Sequence, residues 1–237
     1  MPLKKLMSDL KVVILVPAYK RPEYTKKCIE AFNNMVIPCH VEFWLWDDGS
    51  CDGTKEIFET LKHEKTILST TENYGLRYVI SCWLHDPCQI RKSIDIIAKM
   101  DNDSIVPPDY LVTMLNKFLT TDADILSPNV YPSNAAYTHG NEDMGLGYRP
   151  SHIVGGLWMM KREMVDGLEF DRHDVVGIKG AFNLLYQIII EKEPKIGWVP
   201  EVVVQDIGHW SGAHPEHIKS TEHAEYYNEI GRSVSWA

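Results

Sequence analysis

An α/β fold, built on a mostly parallel twisted sheet with helices on both faces, is what this sequence predicts. Three observations carry it. Short apolar runs alternate with segments of helical periodicity through the first half of the chain. The first run, residues 12–16, is continuous rather than alternating, as in strands covered on both faces. Two further runs, Trp44-Leu45-Trp46 and Ile96-Ile97-Ala98-Lys99-Met100, end abruptly in the paired carboxylates Asp47-Asp48 and Asp101-Asn102-Asp103. The carboxyl ends of strands are where such sheets bind ligands.

The elements follow in order. Residues 12–16, closed by Pro17, read as the first strand. Residues 22–33 show helical spacing, with Tyr24, Cys28, Ile29 and Phe32 on one side. Residues 41–46 are a second strand. Asp52-Gly53-Thr54 opens a helix to residue 61, with Asp52 or Thr54 as its cap. Residues 66–68 are a third strand, 75–84 a helix and 94–100 a strand. Pro107-Pro108 starts a helix through residue 119, proline being favoured in a first turn. Residues 124–126 are a further strand. The second half is less regular. Residues 129–150, rich in Asn, Gly, Tyr and Pro, read as a long loop. Residues 153–160 are a strand containing Gly155-Gly156, and 181–191 a strongly apolar helix. Residues 196–204 are a strand interrupted by Pro200, and 217–230 a polar helix. No repeat, linker or low-complexity segment divides the chain, so a single compact domain over residues 1–237 is expected.

Bulk properties narrow the function. The net charge of −9 argues against a general nucleic-acid binder, which needs basic surface. No apolar run approaches the roughly 18 residues of a membrane span. Lys11 cuts the apolar stretch near the start, which reads as a buried strand and not as the core of a signal peptide. The five cysteines have neither even number nor paired spacing, which argues against a disulfide framework or a zinc site. A cytoplasmic location is the expectation.

Two acidic clusters in one crevice would repel an anionic substrate. A divalent cation resolves this, because it bridges carboxylates and a diphosphate. Oxygen ligands favour Mg²⁺ or Mn²⁺. Alternation on an extended chain puts Asp101 and Asp103 on one side, at an exposed loop end, within reach of one cation. His209 follows the apolar strand Val202-Val203-Val204 and its imidazole is a candidate further ligand. The loop Pro17-Ala18-Tyr19-Lys20-Arg21-Pro22 lies at the end of the first strand, with Tyr19 placed to pack against a base or ribose. Gly155-Gly156 marks close approach of a ligand or another backbone, or a bulge. Trp158 either fills the core or offers an aromatic face to sugar C–H groups.

Together these residues resemble a glycosyltransferase of the GT-A fold, closest to the large family 2 group. Residues 12–21 resemble that family's first strand and loop. Trp46-Asp47-Asp48-Gly49-Ser50-Cys51-Asp52-Gly53-Thr54 is nearly its "D-D-G-S-x-D-G-T" signature, and Asn73-Tyr74-Gly75 resembles its "N-x-G". Asp101-Asn102-Asp103 falls where the family has its Asp-x-Asp. Gly155-Gly156 through Arg162-Glu163 resembles its "G-G-x-x-x-x-x-R-E" strand. Ile207-Gly208-His209-Trp210 is also similar to a segment of the polypeptide N-acetylgalactosaminyltransferases. The resemblance spans about residues 11 to 212.

It implies sugar transfer from a nucleoside diphosphate sugar, a UDP-sugar first, to a hydroxyl of a carbohydrate or other acceptor. The nucleotide half would be residues 11–103 and the acceptor half 104–237. Asp103 and His209, assisted by Asp101, would hold Mn²⁺ or Mg²⁺. Asp101 and Asn102 would line the ribose side. Asp47, Asp48, Tyr19, Pro17, Ala18, Arg21 and Arg77 would hold the nucleotide. Gly155, Gly156 and Trp158 would face donor sugar and acceptor. One departure matters. Inverting members carry "G-E-D-x-D" at the late helix, and here Gly180-Ala181-Phe182-Asn183-Leu184 has no carboxylate. Either Asp174 or Asp171 supplies the base, or the enzyme retains configuration and needs none there. A sugar-phosphate nucleotidyltransferase is the first rival, although Pro17-Ala18-Tyr19 lacks the glycines of its loop. A non-catalytic nucleotide- or carbohydrate-binding module is the second.

Overall fold

The structure, a computed structural model, describes residues 3–90, 93–131, 157–170 and 178–208. In chain order the elements are α1 (Leu3–Ser8), β1 (Lys11–Ala18), α2 (Pro22–Asn33), β2 (His40–Asp47), α3 (Thr54–Glu59), β3 (Lys65–Ser69) and α4 (Leu76–Ile90). They continue with β4 (Ile96–Lys99), β5 (Ser104–Ile105), α5 (Tyr110–Thr120), β6 (Ile125–Tyr131), β7 (Trp158–Lys161), α6 (Ile178–Lys192) and β8 (Ile196–Asp206). Among the described residues one eight-stranded sheet has the order β3-β2-β1-β4-β7-β6-β8-β5. β3, β2, β1 and β4 run parallel, as do β6 and β8. β7 is antiparallel to both its neighbours, and β5 to β8. The expected mostly parallel sheet is observed, with antiparallel pairings at β7 and β5 that the sequence did not announce.

Two apolar clusters cover its two faces. One joins Val12, Ile14, Val16, Phe43 and Leu45 to Ile29 and Phe32 of α2, Phe58 of α3 and Leu111, Met114 and Leu115 of α5. The other joins Val13, Leu15 and Trp44 to Val79, Ile80 and Trp83 of α4 and to Leu184, Leu185 and Ile188 of α6. Alternate residues of β1 thus feed opposite faces, which explains why the run has no polar position. Four described cysteines, Cys28, Cys39, Cys51 and Cys82, are free thiols. Among the described residues no helix is long and apolar enough to cross a membrane.

Several boundaries differ from expectation. α5 begins at Tyr110, because Pro107-Pro108 precede the helix and Asp109 takes the cap position. β6 runs on to Tyr131, so residues 129–131 are strand and not loop. Their pairing with β8 explains both this and Pro200. Pro128 pairs with Val199, but Asn129 pairs with Val203. The three intervening residues, Pro200-Glu201-Val202, bulge out. The strand continues past a proline because the missing N–H falls at the bulge. β5, two residues long, has no signature of its own in the sequence. The expected loop at 132–150, strand at 153–156 and helix at 217–230 lie outside the described residues.

Candidate active site

β1, β2, β3 and β4 end at the same edge of the sheet, and the loops that follow them are knitted together by Asp47-Asp48-Gly49-Ser50. Asp48 N donates to Ala18 O (2.8 Å), and Lys20 N to Ser50 Oγ (2.8 Å), which ties the β1 loop to the β2 loop. Ser50 N donates to Asp47 Oδ1 (3.0 Å), fixing the turn itself. The Asp48 carboxylate reaches the β3 loop. It accepts from Thr70 Oγ1 (2.9 Å), Tyr74 N (3.1 Å) and Gly75 N (2.8 Å). Gly49 has φ 75°, and a Cβ there would lie 2.5 Å from the backbone carbon of Glu72. Only glycine allows that approach. The signature is therefore first a clasp for three strand-end loops. Arg77 sits in the first turn of the helix this clasp positions, half-buried.

The β1 loop is strained. Lys20 (φ 58°) and Arg21 (φ 62°) are consecutive left-handed residues without being glycine, at a cost of about 1–3 kcal/mol each. The strain delivers Arg21 to the Asp-x-Asp turn, where its guanidinium donates to Asp103 Oδ2 at 2.9 Å. Pro17 and Ala18 are buried at the end of β1, and Tyr19 is partly exposed beside them.

Residues 101–103 do not continue the extended strand. Ser104 N donates to Asp101 O (3.3 Å), so the chain turns, and the two carboxylates take separate cations. Asp101 Oδ1 accepts from Lys99 Nζ at 2.5 Å, and Asp103 from Arg21. Asn102 is 4% exposed and its amide donates to Thr25 Oγ1 of α2 (2.8 Å), so it anchors the turn to that helix. Asp103 is 7% exposed, not the exposed loop end that its position suggests, because the end of β8 covers it. Ile207 N donates to Asp103 O (3.0 Å), and a Cβ on Gly208 would fall 2.0 Å from Asp103 Oδ2.

The same strand brings a third carboxylate that sequence reasoning passed over. Asp206 pairs with Ser104 across β5 and β8. Its carboxyl is pushed up to about 7, by burial first and then by the charges of Asp103 and Asp101. Asp101 is also held above the ordinary range, by burial first, with Lys99 opposing and Asp103 adding. The only signal in the sequence was its place two residues before Gly208-His209.

A carboxyl that keeps its proton to higher pH in the folded chain gives stability that is present at low pH and lost as pH rises toward 7. In EDTA, Asp206→Asn is expected to stabilise the protein at pH 8 by about 1–2 kcal/mol, allowing for its partial exposure. At pH 4 it should change little. Denaturation at both pH values checks this; an equal change at both would contradict it.

Trp158 is 4% exposed and packs against Trp83, ring centroids 6.2 Å apart, at a core position. Gly155, Gly156, Asp171, Asp174 and His209 lie outside the described residues. Among the described residues no three His, Cys, Asp or Glu side chains close on a single point as a metal cluster. The charge of Asp103 nonetheless raises the proton affinity of both Asp101 and Asp206, and that of Asp101 adds to the effect on Asp206.

An open-edged, mostly parallel sheet with loops and carboxylates gathered at one edge is the GT-A arrangement. The chain belongs to glycosyl transferase family 2, whose sequence profile matches residues 13–168. Glycosyltransferase GlyA of Streptococcus pneumoniae serotype 4 is 26% identical over 159 residues, 66% of this chain. The chain spans 20% of that relative's length. Among solved structures, mannosyltransferase PcManGT from Pyrobaculum calidifontis, in complex with GDP-Man and Mn²⁺, shares the fold at TM-score 0.62 and 17% identity, covering 95% of this chain and 65% of that one. S. aureus TarS 1-349 in complex with UDP gives TM-score 0.65 and 14% identity, over 95% and 73%. Glucosyl-3-phosphoglycerate synthase from Mycobacterium tuberculosis, with Mn²⁺, UDP-glucose and phosphoglyceric acid, gives 0.61 and 15%, over 85% and 73%.

Proposed function

We propose that this chain is a metal-dependent glycosyltransferase that moves a sugar from a nucleoside diphosphate sugar, a UDP-sugar first, to an acceptor hydroxyl. The observation that carries the reading is the convergence of the three-loop clasp with Asp101, Asp103 and Asp206 at one sheet edge. The donor chemistry fits a hard divalent cation. All three groups offer oxygen, and Asp206 is held protonated to higher pH by burial first and then by the charges of Asp103 and Asp101, so a cation placed among them would meet a hard, anionic donor set. Asp103 and Asp101 would hold Mn²⁺ or Mg²⁺, with His209 as a further ligand. Such a cation stabilises the charge that develops on a diphosphate leaving group.

The chain's own residues do the rest. Asp47, at the end of β2, and Tyr19 flank the nucleoside, with Arg77 on the helix after the clasped loop. The Asp48 carboxylate is engaged by the β3 loop, so its part is to set that loop. Asn102 likewise serves through its anchor to α2. Arg21 stands beside Asp103 with a fixed positive charge suited to phosphate oxygens. Residues 11–103 form the nucleotide half and residues 104–237 the acceptor half. Asp174 or Asp171 takes the acceptor proton if configuration inverts. If it is retained, an oxygen of the diphosphate does so.

The test is turnover. UDP- and GDP-sugars incubated with the protein and Mn²⁺, without acceptor, should release nucleoside diphosphate slowly. Release of monophosphate or pyrophosphate would point to a nucleotidyltransferase. No release, with binding intact, would reduce the site to a binding module.

A further inference from the structure

Lys99 is the last residue of β4, in the interior of the sheet, and its side chain is fully buried. Alternation puts it on the same face as Ile97, and its cross-strand partners are Leu15 of β1 and Trp158 of β7. All three neighbours belong to the apolar cluster that also holds Trp44 and Trp83. An ammonium in such surroundings is expensive unless a counter-charge and hydrogen bonds offset its desolvation. Leucine or methionine would fill a similar volume without that cost. Packing alone therefore gives no reason for a cation here.

Its Nζ donates to Asp101 Oδ1 at 2.5 Å, so the charge is aimed at one oxygen of the first Asp-x-Asp carboxylate. Asp101 keeps 35% of its side-chain surface exposed, while Lys99 keeps none. The ammonium thus reaches the carboxylate from the core, and the solvent side stays open. Asp103 takes its cation differently, from Arg21 in the strained loop. One counter-charge is rooted in the sheet and the other is carried by a loop.

We propose that Lys99 is a positioning residue: it holds Asp101 Oδ1 from beneath the sheet edge, so that Oδ2 is the oxygen Asp101 presents to the metal–nucleotide. The assignment rests on the nucleotide reading of the site. A carboxylate fixed before its ligand arrives need not be ordered on binding, which favours affinity.

A double-mutant cycle separates this from a merely structural lysine, because residues that act through one another are not additive. UDP and GDP, each with Mn²⁺, are titrated by calorimetry into the wild type, Lys99→Met, Asp101→Asn and the double variant. Lys99→Met should weaken binding tenfold or more with its circular-dichroism spectrum retained. In the Asp101→Asn background the same substitution should cost no more than twofold. Equal losses in both backgrounds, or none from Lys99→Met, would overturn the proposal. If Lys99→Met alone is insoluble, the double variant, with both charges gone, is compared with Asp101→Asn. Equal binding supports positioning through Asp101; a tenfold weaker or unfolded double variant overturns it. Failure of the wild type to bind either nucleotide would instead sink the nucleotide reading, and this proposal with it.

Discussion

Asp103→Asn is expected to lower turnover about 1000-fold or more, the loss of about 4 kcal/mol of transition-state stabilisation that a catalytic cation supplies. An amide can still accept a hydrogen bond, but it brings no charge to a divalent ion. The substitution also breaks the Arg21–Asp103 ion pair, whose side chains are 14% and 10% exposed. Some stability is therefore lost as well, about 1–3 kcal/mol, because Arg21 keeps its charge with less to oppose it. The two effects separate experimentally. Circular dichroism and a denaturation midpoint report the fold, and initial rates at saturating donor report chemistry. Near-native turnover in a folded variant would show that Asp103 is not the principal metal ligand.

Gly49→Ala is expected to cost about 2–5 kcal/mol of stability, a large part of what a domain of this size has. Two penalties add. Alanine at φ 75° is strained in itself, and its Cβ would stand 2.5 Å from the Glu72 carbonyl carbon. The obstacle is backbone, so no rotamer change relieves it. The β3 loop must back away, which stretches the three hydrogen bonds that Asp48 accepts. Gly167→Ala is the control: φ is 73° there too, but nothing lies within 4 Å of the added carbon. It should show the strain alone, about 1–2 kcal/mol. Urea midpoints for the two variants decide the matter, and equal losses would mean that the loop contact has no energetic weight.

The centre of the sheet was legible because β1 and β4 are buried on both faces and read as apolar runs. The loops at the carboxyl edge of the sheet were legible as loops because turn chemistry and paired carboxylates mark the ends of strands. What the sequence hid depends on contacts between distant segments. Asp48 and Asn102 look like ligand-facing polar residues, yet their partners are Thr70, Tyr74, Gly75 and Thr25, which local pattern cannot reveal. Asp206 ends an unremarkable alternating strand and reaches the site only because β8 pairs with a two-residue β5. Asp103 reads as exposed until Gly208 is laid over it. Trp158 had two readings, and its partner Trp83, on another element, places it in the core.

The central claim is that the carboxylates at this edge bind a nucleoside diphosphate through a divalent cation. Calorimetric titration of the wild type with UDP, in Mn²⁺ and again in EDTA, tests it most directly, with GDP, CDP and dTDP run beside it. Tight binding of one nucleotide in Mn²⁺, weakened at least tenfold by EDTA and insensitive to Mn²⁺ in Asp103→Asn, is the expected result. Equal affinity with and without the metal for every nucleotide would contradict the account.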